Sequence, residues 1–123
     1  MSVLLFLAAT TFSQDAERAL PTYSGNDKLV GLSNLMDGFS DCPIKSVVGR
    51  VRKFKAVGNL VSVRIREAKK KYAEVVVPLG RVDAEDRGYV FRHLITKNNT
   101  LRISGYSCSD ALPFSAFSVD RVY

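Results

Sequence analysis

Apolar positions divide the chain into an uncharged leader, a polar arm, and a body in which helical spacing gives way to strand alternation. Ser2 to Phe12, "SVLLFLAATTF", is apolar and uncharged over about eleven residues. That length suits the hydrophobic segment of a secretory signal and is too short to span a bilayer. No Lys or Arg precedes the run, a departure from such signals, and its other use is a buried first strand or helix. The signal reading assigns residues 1–16 to a leader cut after Ser13 or Ala16. The polar stretch "QDAERALPTYSGNDK" carries Pro21, Ser24, Gly25 and Asn26 and reads as an exposed arm with turn chemistry. Leu29, Val30, Leu32, Leu35, Met36 and Phe39 then recur at mostly helical spacing behind Asp27 as N-cap, which predicts a short helix over 27–39 ended by Gly38. Arm and helix fill residues 17–43, ahead of a β domain over 44–123.

From Ile44 the period changes to two. "KSVVGRVRKFKAV" is rich in β-branched residues, but Val51 and Phe54 fall on opposite parities, so a bulge near Arg52 and Lys53 or a kink at Gly49 is needed to place both on one face. Gly58 and Asn59 form a hairpin turn. Beyond them Val61, Val63 and Ile65 alternate with Ser62, Arg64 and Arg66, giving one dry and one wet face. "AKKK" is a charged turn and "YAEVVVP" a third strand closed by Pro78. Asp83 opens a helix with acids in its first turn and Val90, Phe91, Leu94 and Ile95 as an apolar stripe. "TLRISGYSCS" and "FSAFSVDRVY" are the fourth and fifth strands of this domain.

Three strands, a helix and two strands, with a bent glycine-containing first strand, resemble the OB-fold over residues 45–123. The resemblance is one of topology, with no sequence signature. The fold class expected is mainly β with one or two helices: a small five-stranded OB-like barrel with its helix between strands three and four. The resemblance implies a binding site on the face of strands two and three, here Arg64, Arg66, Tyr72 and Glu74, flanked by Arg50 and Arg52, for oligonucleotides, oligosaccharides or proteins.

Composition agrees with one such domain, since 123 residues with 46% hydrophobic positions build a single core. Cys42 and Cys108 lie far apart with no CxxC motif, and the chain holds one histidine, so a zinc site or redox pair is unsupported. One disulfide is the simplest use, two separate buried thiols the other. With the leader, the disulfide reading places the protein in a secreted or periplasmic compartment.

Charge sharpens the functional question. Ten of the 18 basic residues lie between Lys45 and Lys71, opposed there by Glu67 alone, while the rest of the chain is slightly acidic, within a net charge of +6. Alternate positions on a strand lie about 7 Å apart, near the phosphate spacing of a nucleic-acid strand. The expected ligand site is therefore Arg50, Arg52, Lys53, Lys55, Arg64, Arg66, Lys69, Lys70, Lys71 and Tyr72, taking a polyanion or single-stranded nucleic acid. Few aromatic residues interleave with the charges, and a wet face kept basic to protect sheet edges has the same pattern. The alternative is an exported protein-binding module using the loop around Cys108, with Tyr106, Ser107, Ser109, Asp110 and Phe114 as its surface.

Catalysis finds little footing. His93 has no nucleophile or ligand motif beside it, Asp83, Glu85 and Asp86 are explained by the first turn of a helix, and the glycines lack phosphate-cradling spacing. The expectation is a binding protein that is not an enzyme, with no metal, no cofactor and no membrane span in the mature chain. The compartment reading is checked by intact mass: a mature chain starting near Gln14 or Glu17 and two mass units lighter than its reduced form agrees, whereas an uncut chain with two alkylatable thiols refutes it.

Overall fold

A computed structural model of the chain describes residues 17–37, 41–111 and 113–123. The leader and the positions of Gly38 and Phe39 lie outside the described residues. The elements in chain order are β1 (Leu20–Tyr23), β2 (Leu29–Ser33), β3 (Ile44–Val57), β4 (Leu60–Ala68), β5 (Lys71–Pro78), helix α1 (Ala84–Tyr89) running on into a π-helical turn (Val90–Leu94), β6 (Thr100–Tyr106) and β7 (Phe114–Arg121). They form one sheet in the order β1-β2-β7-β5-β4-β3-β6, closed by pairing of β7 with β6. The result is a five-stranded barrel of β3, β4, β5, β7 and β6, with the β1–β2 hairpin added at β7.

The long β3 makes closure possible. Residues 44–50 pair with β6 and residues 50–57 with β4, so Arg50 faces Thr100 on one side and Arg66 on the other. The expected bulge is present, with the register shifting between Val51 and Lys53. It returns Phe54 to the side of Val63, the parity that strict alternation had broken. At Gly49 the strands pinch, and a Cβ there would lie 2.3 Å from the Arg66 carbonyl oxygen and 2.6 Å from Ile65 Cγ2.

Alternation then sorts the side chains. Val47, Val51, Val61, Val63, Ile65, Val75, Val77, Leu101 and Ile103 are buried, and among the described residues no polar or charged residue is. Val90, Leu94 and Ile95 from the helical segment complete this core, with Phe91 packed against it. The Ile95 N–H donates to the Val90 carbonyl at 2.7 Å, and Asn99 closes the turn by donating Nδ2 to the carbonyls of His93 and Leu94. Asp83 holds the N-cap position in extended conformation, but its side chain makes no capping hydrogen bond. It pairs with Arg18 at 3.7 Å instead.

Two expectations are corrected. The segment read as a helix over 27–39 forms strand β2, and part of the arm forms β1. The apolar run is short enough to fit either period, and its flanks decide it. Asp27 and Asn34 adopt left-handed φ of 58° and 55°, so Asp27 is a turn residue and not an N-cap. Gly31 lies close against β7, where a Cβ would meet the Asp120 carboxylate at 2.6 Å. The β1–β2 hairpin in turn moves the helix in chain order, so that it follows the fifth strand and not the third. Leu29, Leu32 and Leu35 join the same core.

A disulfide links Cys42 and Cys108, with Cα atoms 4.7 Å apart. It lies just beyond the end of the β3–β6 ladder at Ile44 and Tyr106, and the Ser107 N–H donates to the Pro43 carbonyl beside it at 2.9 Å. Closing a loop of 66 residues stabilises by about 4 kcal/mol at most on the chain-entropy estimate.

Two glycine substitutions test this packing by chemical denaturation. Gly49→Ala is expected to destabilise by about 2–3 kcal/mol, because the Arg66 backbone cannot retreat without opening the barrel. Gly88→Ala, where a Cβ meets nothing within 4 Å, is expected to stabilise by about 0.5–1 kcal/mol through helix propensity.

Candidate ligand-binding face

Register across β3, β4 and β5 places the predicted residues in rungs. Val51 faces Ile65 and Phe54 faces Val63 on the inner side, so the pairs between them point outward. One outer rung is Arg50–Arg66–Tyr72, the next Lys53–Arg64–Glu74, and the next Lys55–Ser62–Val76. Successive rungs are about 7 Å apart and neighbouring strands about 4.8 Å. Arg52 is exposed at the bulge, and Lys69 and Lys70 form the turn into β5. The structure thus gathers Arg50, Lys53, Lys55, Arg64, Arg66 and Tyr72 on one face with the lysine turn at its end.

Two of these rungs set like charges directly opposite each other, Lys53 against Arg64 and Arg50 against Arg66. Each such pair costs a few tenths to about 1 kcal/mol on a sheet. Glu74 relieves one of them, its Oε1 lying 3.5 Å from Arg64 Nε. Arg64 also lays its guanidinium over the Tyr72 ring at 4.5 Å, leaving that ring 45% exposed. The contact with Glu74 lacks hydrogen-bond geometry, and Arg64 Nε is enclosed without a hydrogen-bond partner. Lys71 reaches Glu67 at 4.0 Å. Exposed ion pairs of this kind contribute about 0–1 kcal/mol.

The turn itself is strained. Lys70 sits at φ 63°, a left-handed conformation that costs an ordinary residue about 1–2 kcal/mol and that Gly or Asn adopts more easily.

Sequence reasoning missed what borders the face. β5 and β7 pair only at Val75–Phe114 and Val76–Ser115, so the start of β5 parts from the loop after β6. A groove of about 420 Å³ opens there, with Lys45, Lys71, Tyr72, Asp110 and Phe114 in its walls. Lys45 is at this end of the barrel and not on the outer face, with its Nζ 5.8 Å from the Phe114 ring centroid. No signal in the β3–β5 segment reveals this groove, because its second wall comes from a loop some forty residues later.

An unrelated cluster lies where β1 meets the helix. Tyr23 packs edge-on against Tyr89 at 6.2 Å, and Tyr89 stacks on His93 at 5.3 Å. His93 Nδ1 accepts the Leu29 N–H at 3.2 Å, a structural role. Among the described residues no group of three or more His, Cys, Asp or Glu side chains is placed to hold a metal ion.

Comparison with protein-family models and with curated proteins finds no match, so the functional reading rests on this geometry.

Desolvation pushes the Tyr23 phenol up to about 12, reinforced by the hydrogen bond it donates to Asp86 and by the charge of that carboxylate. Because this lies above the ordinary value of 10.0, the associated stabilisation is complete below pH 10 and is lost as pH rises through 12. Absorbance titration of the phenolates is expected to show one tyrosine ionising late, and Asp86→Asn to bring it back toward the others.

Proposed function

We propose that the chain is an exported member of the OB superfamily that binds an extended polyanion, single-stranded nucleic acid foremost, across the outer rungs of β3, β4 and β5, without performing chemistry on it. The observation that carries this reading is the pair of like-charged rungs. A surface kept charged for solubility mixes its signs, whereas Arg50 against Arg66, and Lys53 against Arg64 with Glu74 relieving it in part, raise the energy of the folded state that a bound anion would lower. The strained Lys70 at the end of the face points the same way. Tyr72 offers one stacking surface, backed by Arg64.

OB membership is supported by the strand order, with its short parallel pairing of β5 and β7 and a first barrel strand shared by two neighbours. Export is supported by the disulfide. A second reading, a protein partner held in the groove beside Cys108, is favoured by the Tyr72 and Phe114 rings in its walls. Salt separates the two, since polyanion binding weakens steeply as counterion release is lost and an aromatic interface does not.

Replacing Arg64 and Arg66 by Gln relieves both like-charged rungs and is expected to leave the protein folded and at least as stable as wild type. It is expected to reduce the magnitude of the salt slope for single-stranded DNA by about 1.4. Fluorescence anisotropy with a labelled oligonucleotide over a salt series measures it. An unchanged affinity and slope in the double variant, or no binding by the wild type at low salt, removes the polyanion reading.

A further inference from the structure

Beyond the cationic rungs, the same outer face ends in an apolar one. Val57 and Leu60 oppose each other as the last rung of the β3–β4 hairpin, and Pro78 lies opposite Leu60 on β5. Val57 is 65% and Leu60 52% exposed. Behind them Phe54, 38% exposed, stacks on Phe91 at 5.5 Å. Residues flanking a tight turn on a soluble surface are ordinarily polar, and a polyanionic strand offers aliphatic side chains no partner.

The tip is held in this presentation. The Leu79 N–H donates to the Asn59 carbonyl at 2.7 Å, and Arg87 Nη1 donates to Asn59 Oδ1 at 3.1 Å. Arg87 in turn donates through Nε to the Val82 carbonyl and through Nη2 to the Leu79 carbonyl. The turn is thereby tied to the segment between β5 and α1 and cannot fold its aliphatic pair inward.

The order of chemistry along the hairpin decides the partner. The aliphatic rung comes first, Lys55 lies one rung behind at about 7 Å, and Lys53 with Arg64 a further 7 Å or so behind that. An anionic bilayer presents the complementary order from its depth outward, acyl chains and then phosphates, and interfacial segments enter it by about 5–10 Å. We propose that the β3–β4 hairpin tip docks on an anionic lipid bilayer, with Val57 and Leu60 at the acyl boundary and Lys55 at the phosphate level. The contact is peripheral, and no helix among the described residues is long and apolar enough to cross a membrane. It shares Lys53, Lys55 and Arg64 with the polyanion reading and differs from it in the aliphatic rung of Val57 and Leu60, which that reading does not use.

The chain contains no tryptophan, so Leu60→Trp installs a single reporter at the tip. Its emission is expected to shift to the blue with mixed phosphatidylcholine–phosphatidylglycerol vesicles, and not with phosphatidylcholine alone or with heparin. In vesicle sedimentation Val57→Asp/Leu60→Asp is expected to lose at least about ten-fold in partitioning, with a wild-type-like cooperative thermal unfolding transition reporting that it is folded. No shift with anionic vesicles overturns the proposal and leaves the tip to a protein partner. A shift with heparin instead assigns the tip to the polyanion, and equal sedimentation of wild type and the Asp variant reduces the contact to adsorption by the cations; either result also overturns it. Loss of heparin binding in Arg64→Gln/Arg66→Gln with vesicle docking retained separates the two readings.

Discussion

Closure of the barrel depends on one strand serving two partners. β3 is hydrogen-bonded to β6 over its first half and to β4 over its second, and Arg50 is the residue where the two ladders overlap. That change of partner needs a strand that bends, a close approach at Gly49 and an extra residue at Arg52. Beyond the overlap the Val51 N–H donates to the Asn99 carbonyl, and the Asn98 N–H to that of Val51. The segment leaving the helix thus takes up β3's backbone as β6 departs. Were β3 straight, Phe54 and Lys53 would exchange faces, and neither the inner stack on Phe91 nor the outer cationic rungs would exist.

The same bend explains why the positive charge is concentrated and not merely abundant. Alternation on one strand aligns its cations, and register with the next sets that row against another. Arg64 sits at the centre of the pattern, with Lys53 across one ladder, Glu74 across the other and Tyr72 beneath its guanidinium. One carboxylate beside several cations lowers the local repulsion without cancelling it. At physiological ionic strength screening acts over about 8 Å, longer than the spacing between rungs, so the rungs act as one field.

Much of this was legible in the chain. Val61, Val63 and Ile65 alternate with Ser62, Arg64 and Arg66 without interruption, so the wet face of β4 could be read directly, and the parity conflict between Val51 and Phe54 announced the bulge. The N-terminal hairpin was not legible. Leu29, Val30 and Leu32 fit a helix as well as a strand, and what settles them is the open edge of β7, nearly ninety residues away, together with left-handed turns at Asp27 and Asn34. The groove and the displacement of Lys45 to the barrel end were hidden for a like reason: both depend on where β5 and β7 separate, a property of pairing between distant segments.

The disulfide has a further bearing on the fold through its position. Cys42 and Cys108 obey the same pairing rule as Ile44 with Tyr106 and Val47 with Ile103. A slip of β3 by one residue would turn Val47 and Val51 outward and Arg50 inward, and would also send the two sulfur atoms to opposite faces of the sheet. Only the native alignment brings them together, so the covalent bond acts as a check on alignment. Once formed, the bond holds the start of the longest strand in the alignment that keeps Arg50 on the outer side.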